Sequence, residues 1–499
     1  MRVILVMEIS NKVKALHHDS RKVTPGSMFF CLDGTRVRGA KYAKDAVKRG
    51  AVCIVTEKKL EHVFARSICG AKRTKQSQPE TILVPDVRAA MSFYAKKFYR
   101  SRADEIRIIG VVGTNGKTTT AHIMKHILET AGERVGILGT LHGDLTTPDP
   151  IDLHRVFEEM FDTGIRTVVM EVSAHAIHFK KLAGITFAAV IFTNISQDHL
   201  DFFGSFENYC NTKINFFLAK GGDIKTAVIN TDNEFGRRIF TEREGNSVEY
   251  CLQDVQLFPD KSVISVPLLE KGVARRSRDG VCDKFEVNLP ARFNAQNALG
   301  CITCARVLGV KDDTIKNALK TIPRISGRFN VYKIGKDGAV TAIIDFAHTP
   351  DGLEKIISAV REFAPARVIT VFGCGGNRDR KKRPIMGEIS ARLSDFTVIT
   401  SDNPRFEKPL FIMKQIKKGF QSHKNKLSNN KNFAMIENRA EAITFAINFA
   451  NPGDIVIIAG KGGETHTEIR GQMIEYTDEF VITTHNTINS PLERRGGTP

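Results

Sequence analysis

The sequence predicts an α/β protein in three parts, with a parallel sheet at its centre. Three observations predict it. The chain has 499 residues, too long for one compact core. Apolar, strand-like runs alternate with helical stretches along most of it, the pattern of a parallel sheet with crossover helices. One of those runs, Ile106 to Val112, passes straight into the glycine-rich segment Gly113 to Thr118 and then into a helix-like stretch.

The first part, residues 1–103, mixes short strands (28–31, 51–56, 81–84) with helical segments. The N-terminal run before Glu8 reads as a first strand, because it lacks the long apolar core and small-residue cleavage site of a signal peptide. Segment 66–80 is polar and basic and reads as an exposed loop. The second part, 104–329, holds the runs VGILGT, TVVMEVS, AAVIFTNI and TAVIN. After the glycine-rich segment, Ile123, Ile127 and Ala131 recur at helical spacing, and Gly132 suits the helix end. Residues 241–285 are more polar and suit a small antiparallel lobe. The third part, 330–499, repeats the style with AVTAIIDFAH, RVITVFGCGG, FTVITSDNPR and DIVIIAGKGGE. Its tail from about 489 reads as disordered.

Composition narrows the function classes. Hydrophobic residues make up 42% and charged residues 26%, the balance of a soluble globular protein. No apolar run is long enough to span a membrane. Nine scattered cysteines, an odd number, point to reducing cytoplasm rather than a disulfide framework. Cys301 and Cys304 lie in NALGCITCARVLG, which reads as a buried helix, not a metal knuckle. The net charge of +18 fits a polyanionic small substrate plus solvated lysines. The cations are not interleaved with stacking aromatics and Trp is absent, so no nucleic-acid partner is expected.

The chemistry-bearing residues follow strand ends, where open α/β sheets bind ligands. In GTNGKTT, glycines turn backbone N–H groups toward phosphates, and the helix N-terminus adds partial positive charge. Lys117 would reach the β/γ-phosphates and Thr118 would ligate Mg²⁺. The general pattern wants glycine at position 111; this chain has Val111, a shorter variant. Glu171 closes TVVMEVS and His199 lies in NISQDHLD; together they could hold a hard cation. In DFAHTPDG, Asp345 could bind a ribose hydroxyl or water, or cap a turn beside His348 and Thr349. GCGGNRDRKKRP joins glycine turns to a run of cations, which is either functional or a solvated basic loop. SDNPR presents Asp402, Asn403 and Arg405, and Arg405 could grip a carboxylate bidentately. GKGGET offers Lys461 and Glu464.

These segments, with DSRKVTPGSMFFCLDGTRVRGAKYAKDAVKRGA, TTPDP, MEVSAHA, TNISQDHLDFFGSFENYCNTK, FNAQNALG and SGRF, resemble the Mur ligases over nearly the whole chain, and within them the tripeptide-forming branch. The resemblance implies an N-terminal α/β domain binding the UDP end, a central phosphate-loop ATPase domain, and a C-terminal Rossmann-like domain. It implies ATP-dependent addition of meso-2,6-diaminopimelate to UDP-MurNAc-L-Ala-D-Glu through an acyl phosphate, by a cytoplasmic monomer. Lys117, Lys213, His199 and Glu171 match the catalytic positions, with Thr118, Glu171 and His199 as metal ligands. Lys213, in NYCNTK, matches the lysine that these enzymes carbamylate. Gly113, Thr114, Asn115, Gly116, Lys117, Thr118, Thr119, Asn294, Asn297, Arg328 and Asp345 match ATP contacts. Ser20, Thr146, Thr147, Ser173 and Lys181 match contacts to the UDP-linked substrate.

In the same resemblance, Arg378, Asp402, Asn403, Pro404, Arg405, Gly460 and Glu464 match the diaminopimelate pocket, with Arg405 on the distal carboxylate. An arginine left there without its carboxylate would disfavour lysine as acceptor. The chain departs from the family at Phe179 and Lys181, where Gln and Arg are usual, at Gly463, where His is usual, and at Arg38-Gly39. A lysine-adding or folate-type sister ligase, a nucleic-acid motor and a non-catalytic binding protein are the competing readings. DNPR, the missing aromatic-lined basic face, and the intact loop with Lys213 argue against them in turn.

Overall fold

The computed structural model describes residues 8–34, 38–60, 79–141, 145–220, 223–258, 260–267, 269–270, 273–274, 282–335, 338–421 and 432–489. The apolar run before Glu8, the loop over 66–78 and the tail from 490 lie outside them. The first described strand is Ala15–His17.

Three sheets organise the chain. The N-terminal one is parallel and has four strands in the order Ala15–His17, Ser27–Phe30, Ala51–Thr56, Glu80–Leu83. The central one is parallel and six-stranded: Ser247–Tyr250, Ala227–Asn230, Phe187–Phe192, Arg107–Val112, Thr167–Val172, Val135–Leu138. Arg107–Val112 sits mid-sheet with both faces covered, which is why its sequence is a continuous apolar run rather than an alternating one. The C-terminal sheet runs Asn330–Ile334, Val340–Asp345, Ile455–Ala459, Val368–Phe372, Phe396–Ile399, Phe433–Met435. Only Asn330–Ile334 is antiparallel in it.

The polar stretch expected to form an antiparallel lobe divides in two. Ser247–Tyr250 joins the central sheet in parallel, while Asp254–Leu257, Ser262–Pro267 and Cys282–Val287 make the antiparallel layer. Both halves close one core with the helices Lys117–Thr130 and Arg292–Val307. Ile123 and Ile127 are buried there as expected, but Ala131 lies beyond the last turn and is exposed. Gly132 ends that helix with φ 90°. Cys301 and Cys304 are fully buried core residues, and the Cys301 thiol donates to the Thr120 carbonyl.

One buried histidine fastens the first two parts. His154 is 0% exposed, with Nε2 3.3 Å from Ser92 Oγ and Nδ1 3.2 Å from Ser101 Oγ. Burial, and secondarily the charge of Lys96, push its pKa down to about 4. A depressed histidine favours the neutral form in the folded chain. Its contribution is therefore complete above the unfolded value near 6.5 and is lost as the pH falls toward 4. We expect urea unfolding to show a stability loss across that window to which His154 contributes about 3 kcal/mol, so that the loss is smaller in His154→Gln. An identical pH slope in the variant would contradict the assignment.

Candidate active site

The parallel register puts the carboxyl ends of the central strands on one edge, with Val112 opposite Val172 and Phe192. The C-terminal sheet does the same, with Ala459 opposite Asp345 and Phe372. The two edges face across one cleft of about 550 Å³. The loop residues Thr114 to Thr119 line it, as do Glu171, His199, Asn294, Asn297, Arg328 and Asp345. So do Thr146, Thr147, Ser173 and Lys181, and, on the far side, Arg378, Asp402, Asn403, Arg405, Gly460 and Glu464. Ser20, Gly113, Pro404 and Lys213 lie outside that lining.

The loop is held from behind. Thr114 N–H donates to the Asn194 carbonyl at 2.9 Å, and Asn115 N–H to Asn194 Oδ1 at 3.0 Å. Thr193 Oγ1 donates to the Asn115 carbonyl at 2.8 Å. Glycine is required at two places for different reasons. A Cβ on Gly113 would sit 1.8 Å from Thr193 Oγ1. Gly116 combines φ 85° with a Cβ position 2.4 Å from Asn297 Oδ1. Lys117 Nζ lies back on its own loop, donating to the Gly113 and Thr114 carbonyls at 3.1 and 2.8 Å.

Thr118 and Glu171 meet at the floor. Thr118 Oγ1 is 3.0 and 3.1 Å from the two Glu171 carboxylate oxygens, and Arg328 Nη2 donates to the same hydroxyl at 3.0 Å. Thr140 N–H donates to Glu171 Oε1 at 2.9 Å. Gly139 makes room for that carboxylate, since a Cβ there would lie 2.2 Å from Oε1. His199 adopts a left-handed backbone, φ 53°, and its ring stands 4.8 Å from that of His175. Among the described residues no three His, Cys, Asp or Glu side chains form a metal-binding group. Any cation at Glu171 and His199 would need hydroxyl or ligand oxygens as well.

Lys213 is 1% exposed and has no carboxylate partner among the described ion pairs. Its Nζ donates to Tyr209 OH at 2.6 Å and Thr114 Oγ1 at 3.3 Å. Burial, and then the nearby charge of Lys117, lower its pKa well below the ordinary lysine value. Both effects work against the protonated ammonium at that position.

Asp345 keeps both carboxylate oxygens occupied by the chain: Oδ1 accepts from Ala347 N–H and Oδ2 from Phe329 N–H, each at 2.9 Å. Thr349 caps the helix Pro350–Arg361. Asn294 Nδ2 donates to the Pro290 carbonyl at 2.8 Å. At the other wall, Thr147 Oγ1 donates to the Glu171 carbonyl at 2.9 Å and accepts from Ser173 N–H at 3.1 Å. Thr146 and Thr140 hydroxyls are 3.0 Å apart. Lys181 Nζ pairs with Asp149 at 2.8 Å. Ser20 is buried in a short turn capped by Asp19.

The far wall divides one open reading and corrects one expectation. In the basic run Arg378, Arg380 and Lys381 are exposed, whereas Lys382 and Arg383 turn inward. Arg383 is fully buried and forks onto Glu407 at 3.0 Å, and Lys382 Nζ donates to the His348 carbonyl at 2.8 Å. Arg405, in a left-handed backbone at φ 51°, is not a guanidinium awaiting a partner. Its Nε donates to Glu468 at 2.8 Å and its Nη1 to the Gly376 carbonyl at 3.0 Å. An internal carboxylate satisfies it, so rejection of lysine does not follow from an unpaired arginine. Beside it, Asn403 Nδ2 donates to Glu464 at 2.7 Å, and Lys461 Nζ reaches both Asn403 Oδ1 and Glu464 at 3.0 Å. Burial would raise the Asp402 carboxyl, but the charges of Arg439 and Lys461 hold it below the usual carboxylate range.

Residues 12–99 match the Mur ligase family catalytic domain, 111–305 the Mur ligase middle domain, and 327–462 the Mur ligase glutamate ligase domain. The chain belongs to the Mur ligase family. Relatives of this Mur ligase include a protein from Clostridium botulinum, 36% identical over 96% of each chain. Another, from Geobacillus thermodenitrificans, is 36% identical over 94% of each chain. Both are named UDP-N-acetylmuramoyl-L-alanyl-D-glutamate--2,6-diaminopimelate ligase. A solved structure of a ligase with that name superposes at TM-score 0.62, with 25% identity over 97% of each chain. The Thermotoga maritima MurF ligase in complex with ADP shares the fold at TM-score 0.59 and 18% identity, covering 91% of this chain and 95% of its own.

Some of the family departures have local causes in this Mur ligase. Phe179 lies 4.3 Å beneath the Arg88 guanidinium and 5.3 Å from Phe202, and Lys180 pairs with Asp86. Position 179 thus fastens the N-terminal part through a cation–π contact. Gly463 packs closely on Ser326: a Cβ there would stand 2.6 Å from its Oγ, so a side chain at 463 requires that hydroxyl to turn away. Gly39, where the chain keeps the usual glycine, is confined by backbone, since a Cβ there would lie 2.4 Å from the Leu32 carbonyl, and nothing in the structure explains Arg38 before it. Sequence reasoning missed Tyr209, Asn194, Ser196 and Asp351. Each is polar and unremarkable in its own segment, and only the fold brings them to the loop.

Proposed function

We propose that this Mur ligase uses ATP to join meso-2,6-diaminopimelate to UDP-MurNAc-L-Ala-D-Glu, a step in peptidoglycan precursor synthesis. The observation that carries it is the single cleft in which the glycine loop, the Thr118–Glu171 pair and the Asn403–Arg405–Glu464 group face one another. The full-length likeness to ligases bearing that name supports the donor and the acceptor. We take the chain as three working parts, 1–103, 104–329 and 330–499, acting as a cytoplasmic monomer. No helix among the described residues is long and apolar enough to cross a membrane.

A carboxylate is a poor electrophile until one oxygen becomes a phosphate leaving group. Phosphoryl transfer needs positioning and charge neutralisation above all. In this reading Gly113, Thr114 and Asn115 shape the loop, the N–H groups of Gly116–Thr119 and the Lys117 ammonium take the ATP phosphates, and Lys117 exchanges its loop carbonyls for them. Arg328, already on the Thr118 hydroxyl, adds a second cation. Asn294, Asn297 and Asp345 flank the nucleoside end. The Thr118 hydroxyl and Glu171 carboxylate are hard oxygen donors that fit Mg²⁺, with His199 beyond them. Mg²⁺ there would neutralise charge on the transferring phosphate.

Ser20, Thr146, Thr147, Ser173 and Lys181 hold the UDP-linked peptide so that its terminal carboxylate meets the γ-phosphate. The diaminopimelate amine then attacks the acyl phosphate, and phosphate departs from the tetrahedral intermediate. Asp402, Asn403, Pro404, Gly460, Glu464 and Arg378 orient that amino acid. Arg405 meets its distal carboxylate by sharing or replacing Glu468.

Purified protein with UDP-MurNAc-L-Ala-D-Glu, ATP and Mg²⁺ is expected to release phosphate on addition of meso-diaminopimelate. With L-lysine, kcat/KM should fall by about 10²-fold or more, the order of one charge-assisted carboxylate contact. Equal rates with both amino acids would overturn the acceptor assignment.

A further inference from the structure

We infer that Asp351 is a positioning residue that couples the glycine loop to the amino-acid end of the cleft. It rests on the proposed function only for the identity of the two ligands. Asp351 stands on the first turn of the helix Pro350–Arg361, in the C-terminal sheet layer. Its Oδ2 accepts from three donors: Asn115 Nδ2, Ser196 Oγ at 3.0 Å, and Lys355 Nζ at 3.0 Å. Asn115 is the middle of the loop, and its Nδ2 also donates to Ser196 Oγ at 3.2 Å. Ser196 is tied to the loop a second time, since its N–H donates to Thr114 Oγ1 at 3.0 Å. Loop, residues 194–196 and Asp351 therefore form one polar network.

The helix carries that network onward. Two residues before it stands His348, whose carbonyl accepts from Lys382 Nζ at 2.8 Å. Lys382 begins the helix Lys382–Leu393, three residues after Asp379, which with Arg378 lines the amino-acid end of the cleft. The physical reason for coupling is charge. Asp351 is a carboxylate held beside a loop suited to phosphates, so an arriving triphosphate is repelled by it and competes for Asn115. The partners of Asp351 must differ between the free and the filled loop. A difference of that kind is what allows one ligand to bias the site of another. Lys355, on the same helix, limits the repulsion by keeping one cation on the carboxylate.

The test compares wild type, Asp351→Asn, Asp351→Ala and Ser196→Ala, each with a non-hydrolysable ATP analogue. Hydrogen exchange of segments 346–361 and 378–386 is read with and without the analogue, together with the analogue's own Kd. Steady-state KM for diaminopimelate is read beside kcat. In wild type the analogue should slow exchange in both segments. Asp351→Ala should abolish that response and raise the amino-acid KM about fivefold or more, with kcat changed less than about threefold and the analogue Kd unchanged or lowered, never raised. Asp351→Asn, which keeps an acceptor oxygen in place, should recover part of the response, and Ser196→Ala should lose part of it. A wild-type response in Asp351→Ala overturns the inference, as does a loss confined to analogue affinity. Exchange needs no acceptor turnover, so a failure of the diaminopimelate assignment shows separately, as absent phosphate release by wild type.

Discussion

Lys213→Ala is expected to lower kcat by about 10²- to 10³-fold, the scale of removing one preorganised charge from a transition-state site, while nucleotide affinity stays within about threefold. The reason begins with burial. Lys213 is 1% exposed beside Tyr209 and Thr114 and has Lys117 as a cationic neighbour. A protonated ammonium is costly there and a neutral amine is not. A neutral amine adds to CO₂; the new N–C bond forms and a proton is released, leaving a carbamate. That would put an anion next to the loop, where it would help to hold a metal ion against the phosphates. Tyr209 OH and Thr114 Oγ1 are positioned to donate to it. Wild-type activity should accordingly fall reversibly when bicarbonate and CO₂ are removed, and Lys213→Ala should not respond to them. Full turnover in Lys213→Ala would end the carbamate reading. Loss of nucleotide binding along with turnover would make Lys213 a structural support of the loop.

Gly113→Ala should abolish nucleotide binding more completely than its size suggests. The added methyl would sit 1.8 Å from Thr193 Oγ1, which must move. That hydroxyl is also the donor holding the Asn115 carbonyl at 2.8 Å. The substitution therefore adds overpacking, about 1–3 kcal/mol, and releases the middle of the loop. Analogue affinity measured by calorimetry should drop at least about 10²-fold, because preorganised N–H groups are what the loop supplies. The double variant Gly113→Ala/Thr193→Ala removes the clashing atom and should recover overall stability while affinity stays low. If the double variant is no more stable than Gly113→Ala, the clash is not the cause.

The sequence by itself determined the class of fold and marked the turns that line the cleft. Apolar runs such as 108–112 and 455–459 read as strands buried on both faces, and each was followed by its glycine or polar turn. GTNGKTT announced the loop because its glycines answer a local demand, and DNPR and GKGGET marked the far wall in the same way. The tertiary structure decided the pairings. That Arg405 already rests on Glu468, that Lys382 and Arg383 turn inward, and that Asp351 reaches Asn115 all join residues 24 to 236 positions apart. So does the burial of Lys213, whose surroundings come from the loop a hundred residues earlier. Local conformation is written in neighbouring residues and can be read from them. Whether a charge is paired, buried or exposed depends on which distant segment packs against it, and only the folded chain fixes that.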